Sequence, residues 1–176
     1  YMRAFRFLGG SHGNYIQFLT PGIIAMTILF TAMFAGLEVI WDRQFGFLKE
    51  TLVAPVSRKE IMLGKTLGGA TVATVQGLIV FLISLLIGFR PNFSGFLPAL
   101  VFMFAIAFMF SALGVAIASK MEDMQAFPLV INFVIMPLFF LAGAVFPLQG
   151  IPRPVEIITK FNPLTYGVDG LRYALS

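Results

Sequence analysis

The 176-residue chain is 59% hydrophobic and only 11% charged, whereas soluble domains carry about 25% charged residues. This composition excludes a soluble fold and indicates that lipid covers part of the surface. The net charge of +4 is spread over several segments, which excludes a clustered nucleic-acid-binding face. The absence of Cys and the single His exclude disulfides, Cys-ligated zinc, iron–sulfur clusters and bis-His haem.

Four apolar stretches are long enough to form membrane-spanning helices, which need about 20 residues each. They run from about Gly22 to Ile40, Thr66 to Phe89, Phe96 to Ser119 and Phe127 to Phe146. Pro21 and Gly22 mark the expected start of the first helix. Pro137, near the middle of the fourth stretch, predicts a bend because proline frees a backbone carbonyl. We therefore predict an all-α integral membrane protein with four visible transmembrane helices.

Charge collects in a polar segment between the first two predicted helices. This segment, Trp41 to Lys65, contains Arg43, Lys49, Arg58, Lys59 and Lys65 beside Asp42, Glu50 and Glu60. Short loops rich in Lys and Arg face the cytoplasm. The segment and the Lys120–Asp123 turn are therefore predicted to be cytoplasmic. The Arg90–Asn92 turn and both termini are predicted to share the other side.

The same polar segment predicts two helix starts. Phe45, Leu48 and Leu52 have the spacing of one face of a short amphipathic helix. Ser57 and Glu60 match a capping box, which predicts a second helix that continues into the second span. The short helix is either an interfacial anchor or a docking element for a soluble partner.

The interiors of the predicted spans contain no ionisable side chain, which argues against a proton relay or intramembrane catalysis. Glu38 lies near the cytoplasmic boundary and is expected to pair with Arg43 or with a loop lysine. Ser84 and Ser111 lack a His that could activate them, because His12 lies outside the spans. The chain also lacks the Gly-rich phosphate-binding loop, so we expect no ATP binding by that device.

Small residues in the second span predict close helix packing. Gly69, Ala73 and Gly77 recur every fourth position, a stripe that lets helices approach one another. Gly64 and Gly68 extend a neighbouring row.

Some polar and aromatic residues within the spans have two interpretations. Gln76 and Asn132 either form interhelical hydrogen bonds or line a substrate path. Phe139 and Phe140, near the bend at Pro137, either pack in the bundle or face a cavity for an amphipathic ligand. Asn132, Phe139 and Phe140 are therefore the candidate path-lining residues.

The segment after the fourth stretch is rich in proline and predicts two short helices. The first runs from about Val155 to Phe161. Asn162 and Pro163 fit a helix cap followed by proline at the first helical position, which starts a second helix through Tyr166. Both are too short to span the membrane, so we expect them to dip into the outer interface.

Four ordered segments carry a family resemblance. They are Tyr15–Gly22, Glu38–Gly46 with Asp42 and Arg43 inside it, Leu52–Arg58 followed by Gly64 and Lys65, and Asn162–Tyr166 followed by Asp169–Arg172. Together they resemble the permease subunits of ABC transporters of the type-2 export class. The resemblance is closest to bacterial and archaeal exporters of drugs, lipid-linked sugars or polysaccharides.

The resemblance implies a six-helix permease of which helices two to five are visible here. Residues 1–176 are then expected to be a single transmembrane permease domain that lacks the first and last membrane helices, and thus a fragment. In this family a coupling helix in the first cytoplasmic loop docks into a groove of the ATPase. Carried over, it comprises Phe45, Gly46, Phe47, Leu48, Lys49, Glu50, Thr51 and Leu52, while Glu38, Asp42 and Arg43 lie at the boundary before it.

The outer re-entrant helices of the family correspond to about Val155–Leu171 and include Asn162, Pro163 and Tyr166. The implied partners are a separate ABC-type ATPase, a second permease copy in a homo- or heterodimer, and membrane lipids. ATP and Mg²⁺ would bind to the ATPase, so no cofactor and no catalytic or metal-binding residue is expected in this chain. The chain is expected in the plasma membrane as a multi-pass protein.

The leading hypothesis is therefore the permease subunit of an ATP-driven exporter. The alternative is a structural or assembly membrane subunit that has no path of its own. An intramembrane enzyme is a weaker third hypothesis, because no ionisable residue lies deep in the spans.

Overall fold

The computed structural model describes residues 12–46, 53, 57–91, 95–142, 159 and 161–175. Helices dominate these residues, and no strand occurs among them. The helices are α1 His12–Phe34, α2 Gly36–Gln44, α3 Arg58–Ile87, α4 Phe96–Ser119, α5 Ala126–Leu141 and α6 Pro163–Leu175. The all-α prediction is therefore confirmed for this part of the chain.

Three helical stretches among the described residues are long and apolar enough to cross a membrane: Ile16–Gln44, Arg58–Ile87 and Phe96–Ser119. The first combines α1 and α2, which only Ala35 separates. Helix α5 is apolar but has 16 residues. At 1.5 Å per residue it is about 24 Å long, shorter than about 30 Å of hydrocarbon. The expected fourth span is therefore not confirmed, and its predicted end at residues 143–146 lies outside the described residues.

The boundaries of the third span agree with the sequence prediction, whereas those of the first two differ. Helix α1 begins at His12 rather than at Gly22, and Pro21 lies inside it. The prediction was wrong there because a buried proline is tolerated when neighbouring helices pack around it. Helix α3 begins at Arg58, directly after the Ser57 cap, as the capping box predicts, and therefore before the expected start of the span at Thr66. It ends at Ile87, because the following Gly88 adopts a φ of 107° that closes the helix.

Helix α4 forms the centre of the bundle, because it packs against α1, α2, α3 and α6. Its buried residues recur at helical spacing, as the buried Met103, Ile106 and Phe110 illustrate. Leu97 and Val101 on the other face are exposed, which leaves an apolar surface for lipid. Helix α5 contributes three fully buried side chains to the same core at a spacing of four residues, namely Phe127, Ile131 and Ile135.

Two glycines allow a direct backbone-to-backbone crossing of helices in the described bundle. A Cβ atom at Gly36 would collide with the carbonyl oxygen of Gly114, and a Cβ atom at Gly114 would collide with the carbonyl oxygen of Met33. Because the opposing atoms belong to the backbone, no side-chain rotation relieves either collision. Helix α4 therefore touches the junction of α1 and α2 without any intervening side chain.

The small-residue stripe on α3 packs as predicted, but its neighbouring row does not. A Cβ atom at Gly77 would lie 2.6 Å from Ile28 of α1, and Ala73 is fully buried. By contrast, a Cβ atom added at Gly64 or Gly68 would have no neighbouring atom within 4 Å. That row points away from the neighbouring helices because it lies on the exposed face of α3.

Helix α6 lies antiparallel along the first half of α4. Gly167 faces Ile106, Gly170 faces Phe102, and the carbonyl of Ala174 contacts Gly95. As residue numbers rise in α6, they fall in the α4 partners, which defines the antiparallel direction.

Candidate functional site

Polar contacts join the end of α2 to the α4–α5 turn at one end of the bundle, which we call the charged end. The Arg43 side chain at the end of α2 donates hydrogen bonds to the carbonyls of Ser119 at 3.0 Å and Met121 at 3.1 Å. The Gln44 amide donates to the carbonyl of Glu122 at 3.0 Å. The last carbonyls of a helix lack intrahelical partners and favour a nearby cation. Arg43 therefore fastens α2 to the turn between α4 and α5.

An ion pair joins α2 to the start of α3. Lys65 Nζ lies 2.5 Å from Asp42 and 3.9 Å from Glu38. Asp42 and Lys65 are about equally shielded, with side chains 25% and 28% exposed, whereas Glu38 is 69% exposed. Asp42 is thus the principal partner of Lys65. The expected pairing of Glu38 with a loop lysine is confirmed, and its expected alternative, Arg43, instead binds backbone carbonyls.

We call Glu38, Asp42, Arg43 and Lys65 the boundary cluster. Its contacts place Arg43 and Lys65, near the two ends of the Trp41–Lys65 segment, at the same end of the bundle as the Lys120–Asp123 turn, as the sequence predicts. Within the described residues, no group of three or more side chains is arranged to bind a metal ion.

The capping box at the start of α3 is confirmed. The Ser57 hydroxyl accepts a hydrogen bond from the Glu60 amide at 3.3 Å, and the Ser57 amide donates to the Glu60 carboxylate at 2.7 Å. The start of α3 is therefore held by its own first turn and does not depend on the residues before it.

The segment predicted to couple to a partner emerges between the two anchored helices. Phe45 and Gly46 form a bend that ends α2, and Gly46 has a φ of 82° that favours glycine. The Phe45 ring meets the Trp41 ring edge-on at 6.4 Å, and both side chains are largely exposed. The remaining predicted coupling residues, Phe47 to Leu52, lie outside the described residues. Their helix remains a prediction that begins after this bend rather than at Phe45.

The candidate path-lining residues lie on α5, away from the boundary cluster in sequence. Asn132 and Phe139 are seven positions apart, which places them on one face of the helix. Asn132 is exposed, and its side chain forms no hydrogen bond with another described residue. The Phe139 and Phe140 rings meet edge-on at 5.7 Å. The path-lining role of these residues stays a prediction.

The polar side chains of Gln76, Ser84 and Ser111 within the spans have hydrogen-bond partners in the structure. The Thr31 hydroxyl donates to Gln76 Oε1 at 2.8 Å, so Gln76 forms the interhelical hydrogen bond between α1 and α3. The Ser111 hydroxyl donates to the carbonyl of Thr66 at 3.0 Å, and that of Ser84 to the carbonyl of Phe81 at 2.6 Å. Both serine hydroxyls are buried and held by backbone carbonyls, which is a structural role.

Asn162 joins the start of α6 to the end of α5. Its side-chain oxygen accepts a hydrogen bond from the Leu164 amide at 3.0 Å, which confirms the predicted cap before Pro163. Its side-chain nitrogen donates to the carbonyl of Leu138 at 2.7 Å. That carbonyl lies in the last turn of α5, where backbone acceptors lack helical partners. Tyr166 follows with an exposed side chain, and most of the predicted Val155–Phe161 helix lies outside the described residues.

We expect Asn162→Asp to lower the free energy of unfolding by about 1 kcal/mol. The carboxylate keeps the acceptor for the Leu164 amide but loses the donor to the Leu138 carbonyl. Chemical unfolding of the purified protein in detergent measures the change. The control is Gln125→Glu, the same amide-to-carboxylate change at an exposed position directly before α5. Equal effects at both positions would contradict a specific role for the Asn162 donor.

Two of these features were not predicted from the sequence. Arg43 was one of two expected partners of Glu38, the other being a loop lysine, and the carbonyls of the α4–α5 turn were not predicted as partners of Arg43. The glycines of α3 were expected to pack closely, whereas Gly36 and Gly114 were passed over. The presence of glycine within each of the two apolar spans was the available signal, but it does not reveal which glycines meet.

The described residues contain three span-capable helical stretches, and α4 is the central one. Together with the charge concentrated at their ends, they define a multi-pass integral membrane protein. The chain belongs to the ABC-2 type transporter family, whose model matches residues 2–176. This agrees with the resemblance that the ordered motifs carry.

Two of three similar curated relatives are named transport permeases. The putative transport permease ycf38 of Cyanophora paradoxa is 30% identical over 165 residues, covering 93% of this chain and 57% of the relative. The inner membrane transport permease YadH of Escherichia coli strain K12 is 30% identical over 170 residues, covering 94% and 65%. Nodulation protein J of Rhizobium leguminosarum bv. viciae is 26% identical over 161 residues, covering 90% and 62%. The chain thus spans less than two thirds of the length of these relatives, and no solved structure matches it.

Proposed function

We propose that this chain belongs to the membrane-spanning permease subunit of an ATP-driven exporter. In this proposal the permease forms the translocation path with a second permease copy. Separate ABC-type ATPase subunits bind ATP and Mg²⁺, so this chain carries no catalytic step. Export as the direction of transport follows from the family resemblance.

The observation that carries the proposal is the way the boundary cluster brackets the predicted coupling segment. Asp42 and Arg43 lie directly before the segment, and Lys65 lies after it, paired with Asp42 at 2.5 Å. Arg43 also reaches the α4–α5 turn through two carbonyls. A partner that moves the segment would therefore move α2, α3 and the end of α4 together.

This arrangement suits force transmission, because the Asp42–Lys65 ion pair and the Arg43 hydrogen bonds lie close in sequence to the predicted coupling segment. The bend at Phe45 and Gly46 presents exposed aromatic surface beside Trp41. Exposed aromatic side chains are typical anchors at protein interfaces. The proposed coupling residues Phe47 and Leu48 would extend this apolar surface into the ATPase groove.

We expect Phe47→Asp and Leu48→Asp in the full-length permease to reduce recovery of the ATPase partner at least tenfold. A carboxylate buried in an apolar groove costs more than the 1.4 kcal/mol or so that a tenfold change requires. Co-purification and ATP-dependent transport in vesicles provide the measurements. Tyr173→Asp is the control, because this exposed aromatic residue lies near the end of α6, beside the start of α4 at the opposite end of the bundle. Undiminished complex and transport in both coupling variants would refute the docking role.

The proposed membrane topology has a separate test by cysteine labelling, because the chain has no Cys of its own that would react. Lys49→Cys and Arg90→Cys each introduce a single thiol into the full-length protein, provided its remaining residues also lack Cys. An impermeant maleimide added to intact cells should modify Cys at position 90 and leave position 49 unmodified until the membrane is opened. The reverse pattern would place the boundary cluster outside and leave the ATPase nothing to contact.

The alternative proposal is a structural or assembly subunit without a path. It predicts that the ATPase partner is absent and that substitutions at Asn132, Phe139 or Phe140 change no transport. The exporter proposal instead assigns these α5 residues to the path between two permease copies. Replacing Asn132 by Leu, with the neighbouring exposed Leu129→Ala as control, distinguishes the two in a vesicle transport assay.

A cavity of about 470 Å³ beside the boundary cluster supports an amphipathic cargo. Phe30, Phe34 and Val72 contribute apolar walls, and Glu38 contributes a carboxylate. Such a mixed lining is common in sites for small molecules with polar and apolar parts. Lipid-like or aromatic compounds are therefore the first substrates to test.

A further inference from the structure

A second cavity lies at the end of the bundle opposite the boundary cluster. It has a volume of about 310 Å³ and lies where the first turns of α1, the α3–α4 connection and the end of α6 meet. Phe18, Phe89 and Leu175 give it apolar walls, whereas Arg90 and Arg172 contribute two guanidinium groups. Two cations in one largely apolar cavity have no role in the proposed coupling.

Arg172 is held in place within this cavity. Its guanidinium carbon lies 4.0 Å from the centre of the Phe18 ring, a cation–π arrangement. The Asp169 Oδ1 atom lies 3.9 Å from Nη1 of Arg172, and the Arg172 and Asp169 side chains are 24% and 66% exposed. Burial lowers the pKa of Arg172, and Asp169 raises it, but an arginine stays protonated in proteins. The cavity therefore contains a fixed, partly desolvated positive charge.

The charge around the cavity is unbalanced among the described residues. Arg90 and Arg172 contribute two positive charges, and none of the described lining residues is acidic. Asp169 pairs with Arg172 at 3.9 Å from outside the lining. An anion in the cavity would meet both guanidinium groups at once.

The position of the cavity along the spans matches the depth of lipid phosphates. Phe18 lies close to the beginning of the span Ile16–Gln44, and Arg90 follows the end of the span Arg58–Ile87. The apolar part of the bundle thus ends at the cavity. Lipid head groups lie just outside the hydrocarbon, so the guanidinium groups of the cavity lie at the depth of lipid phosphates.

We propose that this cavity binds a phosphate group at the membrane surface, carried by an anionic lipid or free in solution. Guanidinium groups suit this ligand because their planar fork of donors matches phosphate oxygens. The Gln17 amide on the cavity wall adds a neutral donor. The apolar walls suit the glycerol and acyl portion of a lipid. The proposal is independent of the coupling role, because the two sites lie at opposite ends of the bundle.

The experiment compares the thermal stability of the full-length permease in three environments. These are nanodiscs of phosphatidylcholine, nanodiscs with added phosphatidylglycerol, and phosphatidylcholine nanodiscs with millimolar inorganic phosphate. At a ligand concentration roughly 100-fold above Kd, we expect Tm to rise by about 5–10 °C. Arg90→Gln and Arg172→Gln should each weaken the apparent affinity about tenfold. Lys59→Gln is the control, since Lys59 is an exposed cation at the charged end.

The source of the phosphate follows from the pattern of stabilisation. A rise with phosphatidylglycerol alone that depends on Arg90 identifies a lipid head group, and an equal rise with inorganic phosphate identifies the free anion. Both results support the site. If Arg172→Gln fails to fold, Arg90→Gln still tests the site. Arg90 is exposed and takes no part in the cation–π contact between Arg172 and Phe18. Stabilisation that is absent, or that is unchanged in Arg90→Gln, would overturn the proposal.

Discussion

Replacing Gly114 by Ala should lower the free energy of unfolding by about 1–3 kcal/mol, the usual cost of overpacking a well-packed core. A Cβ atom at this position would collide with the carbonyl oxygen of Met33. The backbone of α1 has to move away from α4 to relieve the collision, and the contact of Gly36 with Gly114 is then lost as well. Chemical unfolding of the purified protein in detergent measures the loss.

Gly68→Ala is the matched control for this prediction. Gly68 is also a helical glycine in a span, but no atom lies within 4 Å of the position that its Cβ would occupy. Alanine there should leave stability unchanged or raise it by about 0.5–1 kcal/mol, because alanine has the higher helix propensity. The difference between the two variants isolates the helix crossing. If Gly114→Ala were as stable as Gly68→Ala, the close approach of α1 and α4 would be wrong.

The second large effect is expected at Arg43. Arg43→Ala removes two hydrogen bonds from a charged donor and should lower the free energy of unfolding by about 1.5–3 kcal/mol. Under the proposed function, it should also reduce ATP-driven transport by the full-length permease about tenfold or more, because a tenfold change takes only about 1.4 kcal/mol. The recovery of the ATPase should stay the same, since Arg43 lies behind the docking segment.

Arg43→Lys and Arg58→Ala provide the controls. Lysine keeps the charge but lacks the planar fork that reaches the carbonyls of Ser119 and Met121 together, so only part of the loss should be restored. Arg58 is an exposed cation of the same polar segment, and its removal should change neither stability nor transport. Normal transport by Arg43→Ala would show that the link between α2 and the α4–α5 turn transmits no motion.

These two predictions depend on contacts that local sequence rules do not reveal. The sequence predicted the cap at Ser57 and the cap at Asn162, because each involves residues within a few positions of one another. It also predicted the bounds of α4, because an uninterrupted apolar run with polar flanks leaves few alternatives. The start of α1 was predicted wrongly at Pro21, since the rule that proline starts a helix is weaker than the packing that surrounds α1.

The amino-acid sequence by itself determined that the chain is helical, lies in a membrane and concentrates its charge between the spans. These properties follow from apolar run lengths, helix caps and charge positions, which are local. Only the tertiary structure decided that Gly36 meets Gly114 and that Arg43 binds the carbonyls of the α4–α5 turn. Every backbone carbonyl is an equivalent acceptor and every glycine allows a close approach. The packing of distant helices against one another is therefore what selects the pairs that form.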